Sequence, residues 1–196
     1  MGVPTDLGMV EATRPYYRST YVFVSRAGSA EAISSLKDAR LRSLTIGVQL
    51  VGDNGFNTPP AHALTSEGIV DNIRGYTLYG DYRDKNPPAR IVDAVRNGEI
   101  DIAAVWGPLA GYFASQGGTQ LAVTLVSDPN DFPPLRFQFD ISMGVRHGDD
   151  ALKNKLDAVI QRRQPEITAL LKSYGVPLIE NKQAVHAAST AAPAPR

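Results

Sequence analysis

The residues able to do chemistry in this chain are few, and their spacing favours binding over catalysis. Glu99 and Asp101 are two apart and therefore on the same side of a strand. Such a carboxylate pair can serve acid–base chemistry, but no companion nucleophile or oxyanion loop accompanies it, so capping and solvation at a strand start is the simpler role. His62, His147 and His186 are scattered and show none of the close spacings that metal sites use. There are no cysteines, which excludes disulfides, thiolate metal sites and a cysteine nucleophile. No Gly-x-Ser-x-Gly elbow is present, and no serine has an evident histidine partner. What remains is a set suited to clasping. Asp53, Asn54 and Thr58 sit in a glycine-bearing turn and either hydrogen-bond a polar ligand or merely shape the turn. Trp106, Gly107 and Tyr112 follow an apolar run, where the aromatics either stack on a guest or pack in the core. Tyr16 and Tyr17 precede a strand and either face a cleft or cover the sheet end.

The elements that must position these groups follow from the pattern. Arg96 to Phe113 reads as the end of a helix, a strand and the start of another helix. Gly98 supplies a left-handed cap, Ile100 to Trp106 is a buried strand, and Gly107-Pro108 opens the next helix. Trp106 and Gly107 thus fall at the carboxyl end of a strand, where open α/β sheets bind ligands. Arg18 to Arg26 is a strand with apolar groups on both faces, and Glu31 to Leu41 reads as a short helix with Ile33 and Leu36 on one face. Leu44 to Leu50 is a central strand that runs into the 51–58 turn. There Thr58 can cap a helix whose first residue is Pro59, and free N–H groups at such a start suit an anion. The Gly-Lys-Ser/Thr ending of a phosphate loop is absent. Gly75 to Gly80 and Leu121 to Val126 are further strands, and Asn86 can cap a helix begun by Pro87-Pro88. The alternation from Leu44 to Val126 predicts a parallel, doubly wound sheet. Phe137 to Arg146 is a long strand. Two helices then carry the stripes Leu152, Leu156, Val159, Ile160 and Ile167, Leu170, Leu171, Tyr174, with Pro165 starting the second. From Asn181 the chain is small and polar and reads as a disordered tail.

Composition narrows the function classes. The 196 residues carry 20 basic and 20 acidic side chains, so no global field favours nucleic acid or an acidic surface. No apolar run approaches a membrane span, and no basic-then-apolar leader opens the chain.

The ordered motifs resemble a known architecture. Thr45-Ile46-Gly47-Val48-Gln49, Gly98-Glu99-Ile100-Asp101-Ile102-Ala103, Met143-Gly144-Val145-Arg146-His147-Gly148-Asp149 and Leu170-Leu171-Lys172-Ser173-Tyr174-Gly175-Val176 occupy places usual in type II periplasmic solute-binding proteins. Thr13-Arg14-Pro15-Tyr16-Tyr17-Arg18-Ser19-Thr20-Tyr21-Val22-Phe23 and Val105-Trp106-Gly107-Pro108-Leu109-Ala110-Gly111-Tyr112 are similar to the quinoprotein-dehydrogenase-associated branch. That branch comprises the XoxJ/MxaJ-type accessory proteins encoded with PQQ-dependent methanol dehydrogenases. The resemblance implies an α/β, periplasmic-binding-protein-like II fold, with one complete doubly wound lobe plus the C-terminal part of the other. On that reading residues 1–24 are a remnant of the first lobe and a crossing strand. Residues 25–135 are the second lobe, 136–180 the return strand and C-terminal helices, and 181–196 the tail. The family has a signal peptide and a full first lobe ahead of Gly2-Val3-Pro4, so the chain reads as truncated. Tyr17 to Phe23 and the C-terminal stripes are then expected to be short of partners. Amino-acid-binding relatives place an aspartate after the central strand, whereas Trp106-Gly107 stands here, which argues against ordinary amino-acid binding.

The reading reached is a non-enzymatic periplasmic accessory factor of a PQQ-dependent methanol dehydrogenase, with no catalytic residue, metal or cofactor of its own. Its binding cleft is assigned to Tyr17, Asp53, Asn54, Thr58, Trp106, Gly107 and Tyr112. A small polar ligand is the second candidate partner, while nucleic acid and membrane insertion are not expected. The alternatives are the solute-binding component of an ABC transporter and the effector domain of a LysR-type regulator.

Overall fold

The computed structural model describes residues 2–28, 32–51, 56–77, 86–116 and 120–179. Its centre is the ten-residue strand β3 (Tyr17–Arg26), which the others join at two different places. The first half, Tyr17 to Thr20, pairs antiparallel with β9 (Gln138–Val145). The second half lies between β7 (Ile102–Trp106) and β8 (Leu121–Leu125), antiparallel to both, with Tyr21 opposite Trp106 and Arg26 opposite Leu121. On the far side of β7, β4 (Ile46–Val51) runs parallel to it and to β6 (Ile73–Thr77). The larger sheet is therefore ordered β6-β4-β7-β3-β8. The two-residue β5 (Phe56–Asn57) folds back on the end of β4. Beyond the crossing, β1 (Gly2–Pro4) and β2 (Glu11–Ala12) both pair antiparallel with β9.

The expected parallel unit is present in β6, β4 and β7, but the sheet is mixed. β3 inserts antiparallel between β7 and β8, a pairing no local pattern announces. Alternation along the strands sorts the core into two layers. Tyr21, Phe23, Ile46, Val48, Ile102 and Ala104 face one side, under α1 (Pro59–Ser66). Val22, Val24, Ala103 and Val105 face the other, against α2 (Arg90–Asn97) and α3 (Gly107–Ala114). Burial on both faces is why these strands read as continuous apolar runs. Gly98 closes α2 at φ 78°, in the left-handed region.

Several local expectations give way to tertiary contacts. The helix predicted over Glu31 to Leu41 does not form across the described residues 32–38, and only a 3-10 turn, Ala39–Ser43, follows. Side chains take over its backbone groups: Asp128 accepts from Leu36 N and from Ser35 Oγ, and Ser35 Oγ accepts from Lys37 N. Ile33 and Leu36 are buried all the same. Asn86 makes no capping bond, and a 3-10 turn, Pro87–Ala89, leads into α2. Pro165 does not start a helix but lies inside one, α4 (Asp150–Ser173), 24 residues long. Contacts just ahead of the proline hold α4 in place. Arg14 N donates to Asp157 (2.6 Å), Arg14 Nη1 to Gln161 (2.9 Å), and Gln164 Nε2 to the Tyr16 carbonyl (2.9 Å). Tyr21 and Phe23, expected to lack partners, are buried at 9% and 1% exposure because β7, β8 and the core layers cover them. The α4 stripe is the part left open: Ile160 is its buried residue, and Leu152, Val159, Leu170 and Tyr174 are exposed.

Candidate functional site

The site is built where β4 and β7 end. Their parallel ladder runs as far as Val48 opposite Ala104. One residue on, the Gln49 side chain supplies the next link, its Oε1 accepting from Trp106 N at 2.7 Å. The backbone carbonyl of Gln49 accepts from Thr58 Oγ1 at 2.8 Å. Thr58 occupies the N-cap position of α1 but makes no capping bond, because its hydroxyl is committed to β4. One buried glutamine thus ties together the strand end, the turn and the start of α3.

Trp106 caps the strand and is only partly buried. Its ring meets Tyr21 edge-on at 5.4 Å and Phe139 at 5.6 Å, and Tyr21 in turn meets Phe137 at 6.2 Å. Such edge-to-face pairs contribute about 0.5–1.5 kcal/mol each beyond area burial. Phe139 belongs to β9, so the aromatic cluster bridges the two sheets that share β3. In front of it lies a cleft of about 470 Å³. Its walls include Tyr17, Tyr21, Gln49, Thr58, Trp106 and Phe139, with Gly2, Pro4, Val51 and Ile141 completing the rim. No described residue of this lining carries a formal charge. Burial pushes the Tyr21 hydroxyl up to about 12, and burial with the neighbouring Tyr16 does the same for Tyr17. Both remain neutral donors at ordinary pH. Gln49 is 1% exposed, and its Nε2 finds no hydrogen-bond partner among the described residues.

Of the residues assigned from the sequence, the structure brings Tyr17, Thr58 and Trp106 to this one cleft. Asp53 and Asn54 lie outside the described residues. Gly107 is adjacent but faces inward: a Cβ there would come within 2.5 Å of the Thr20 carbonyl oxygen, so it is a packing glycine. Tyr112 is placed elsewhere. Its ring stacks on Tyr174 at 5.9 Å, because Gly111 and Gly175 let α3 and the end of α4 approach backbone to backbone. Glu99 and Asp101 precede β7, at the end away from the cleft. There Asp101 accepts from Thr45 N at 2.8 Å and faces Arg26 at 3.7 Å. Among the described residues no cluster of histidine and carboxylate groups could hold a metal, and no helix is long and apolar enough to cross a membrane. Gln49, Tyr21 and Phe139 were not assigned to the cleft from the sequence. The signal for Gln49 was available: it is a polar residue inside an otherwise apolar central strand. No signal tied Phe139 to Trp106.

No protein-family model matches the chain. Protein MoxJ of Methylorubrum extorquens is 33% identical over 190 residues, which cover 91% of this chain and 61% of MoxJ. The chain therefore spans less than two thirds of that relative's length. Among solved structures, the periplasmic binding protein XoxJ from Methylobacterium extorquens AM1 superposes with a TM-score of 0.74 at 33% identity. That match covers 88% of this chain and 74% of XoxJ. MxaJ from Methlophaga aminisulfidivorans superposes with a TM-score of 0.76 at 24% identity, covering 91% of this chain and 75% of MxaJ.

Proposed function

The chain belongs to the family of periplasmic binding proteins that includes MoxJ and XoxJ, and from that premise we propose that it is a periplasmic accessory factor of a PQQ-dependent methanol dehydrogenase. It acts by docking on the enzyme during maturation or activation, and not by turnover. The observation that carries this reading is the likeness to XoxJ, which covers 88% of this chain at 33% identity and a TM-score of 0.74. The cleft supports it. An amino-acid receptor neutralises an ammonium and a carboxylate, and the described lining here has no charged side chain to do so. That weighs against the ABC-importer alternative in its commonest form.

The contact surface is assigned to exposed loops on the rigid lobe, where binding residues concentrate. The crossing from Asp128 to Pro134 is the best formed of them. Phe132 is buried in the core and Lys37 pairs with Asp131 at 2.8 Å, which leaves Asn130, Pro133 and Pro134 presented outward. A second loop rich in aromatic residues and proline, Tyr79 to Pro88, lies mostly outside the described residues. The test is direct association of the immobilised chain with purified methanol dehydrogenase, both PQQ-loaded and PQQ-free. Saturable binding at micromolar concentration or tighter is expected, and Asn130→Arg weakens it. Failure of both enzyme forms to bind at about 100 µM would sink the reading.

A further inference from the structure

We propose that the cleft at the ends of β4 and β7 also binds a small uncharged aromatic molecule bearing a hydrogen-bond acceptor, an aromatic amide or ketone, and that Gln49 Nε2 is the donor that selects it. The inference goes beyond the dehydrogenase reading and does not depend on it.

The orientation of the Gln49 amide is set by its surroundings. Oε1 accepts from the Trp106 N–H at 2.7 Å, and flipping the amide would place two donors face to face. The NH₂ is therefore the free end, on a residue that lines the cleft and is 1% exposed. A buried donor without a partner is costly, and buried polar groups in native proteins are nearly always satisfied. Here Nε2 has no partner among the described residues, so an acceptor on a guest is the group that completes it.

The rest of the cleft restricts what carries that acceptor. No described lining side chain bears a charge, which favours an uncharged guest over a carboxylate or ammonium. Trp106, Tyr21 and Phe139 present aromatic walls, which pack against a flat ring in offset or edge-to-face geometry. A volume of about 470 Å³ suits a ligand of one or two rings.

Trp106 is the only tryptophan in the chain, so its fluorescence reports on this cleft directly. The full chain is titrated with benzamide, with benzoate as the charged analogue and toluene as the analogue lacking an acceptor. Benzamide is expected to give a saturable change, with toluene and benzoate each about tenfold weaker. In Gln49→Leu the advantage of benzamide over toluene disappears. A linear, unsaturable response to benzamide overturns the proposal, as does benzoate binding as well as benzamide, or a Gln49→Leu protein that keeps the preference. Should Gln49→Leu lose its fold by circular dichroism, the three-ligand series on the unsubstituted chain decides alone. The titration contains no dehydrogenase, so its failure and the failure of enzyme docking are separate results.

Discussion

At the residue scale, the site depends on side chains that substitute for backbone. Gln49 continues a ladder past the point where β4 and β7 stop pairing, and Thr58 gives up its cap to do the same for the turn. Gly107, beside them, is a position of close packing. A methyl group there would meet the Thr20 backbone oxygen, which cannot swing aside as a flexible side chain would. Gly107→Ala is therefore expected to destabilise the chain by about 1–3 kcal/mol, read as a lower urea midpoint with an unchanged slope. Tyr21 makes a second prediction. Its hydroxyl pKa in the fold is about 12 against an ordinary value of 10.0, with burial as the cause. The folded state holds that proton more tightly, so stability is complete below pH 10 and falls as pH rises from 10 towards 12. Tyr21→Phe should flatten that alkaline decline by about 2 kcal/mol at its upper end, as seen in urea melts across the range.

At the element scale, α4 shows how far an amphipathic pattern can be trusted. The stripes Leu152 to Ile160 and Ile167 to Tyr174 are genuine helical periodicities, and the helix forms. The expected break at Pro165 does not occur, and Arg14 and Tyr16 pin α4 through Asp157, Gln161 and Gln164, in the turns just ahead of the proline. The pattern did not reveal which apolar residues would find cover. Ile160 is 1% exposed and Leu170 is 60% exposed, although both belong to the predicted stripes. Ile160→Ala should cost about 2–4 kcal/mol in thermal or urea unfolding. Leu170→Gln should stay within about 0.5 kcal/mol of the unsubstituted chain. Equal losses at both positions would mean that Leu170 is covered in solution.

At the scale of the whole molecule, β3 is the shared member of two sheets. From Val22 to Ser25 it is paired on both sides, with β7 and β8. β1 and β2 are short and pair with β9 alone. Amide exchange should therefore be slowest over Val22 to Ser25 and fast over Gly2 to Pro4 and Glu11 to Ala12. Fast exchange of Val22 to Ser25 would show that the two sheets separate easily at the crossing. The cleft sits at this junction, with Trp106 and Gln49 from one sheet facing Phe139 and Ile141 from the other.

The amino-acid sequence by itself determined the features that are local. The apolar run to Trp106, the glycine cap at 98, the Gly107-Pro108 helix start and the Thr58-Pro59 turn are properties of a few adjacent residues. Backbone sterics and side-chain period set them before any tertiary contact forms. The motifs at those places also carried the family likeness. What only the tertiary structure decided is which distant residues share a wall. Gln49 and Trp106 are 57 positions apart and meet because β4 and β7 are neighbours in register. Phe139 reaches Trp106 through the crossing strand, whereas Tyr112 turns away to Tyr174. Insertion of β3 between β7 and β8, and the side chains that replaced the helix expected before Leu41, depend on long-range pairing. No window of local spacing contains that information.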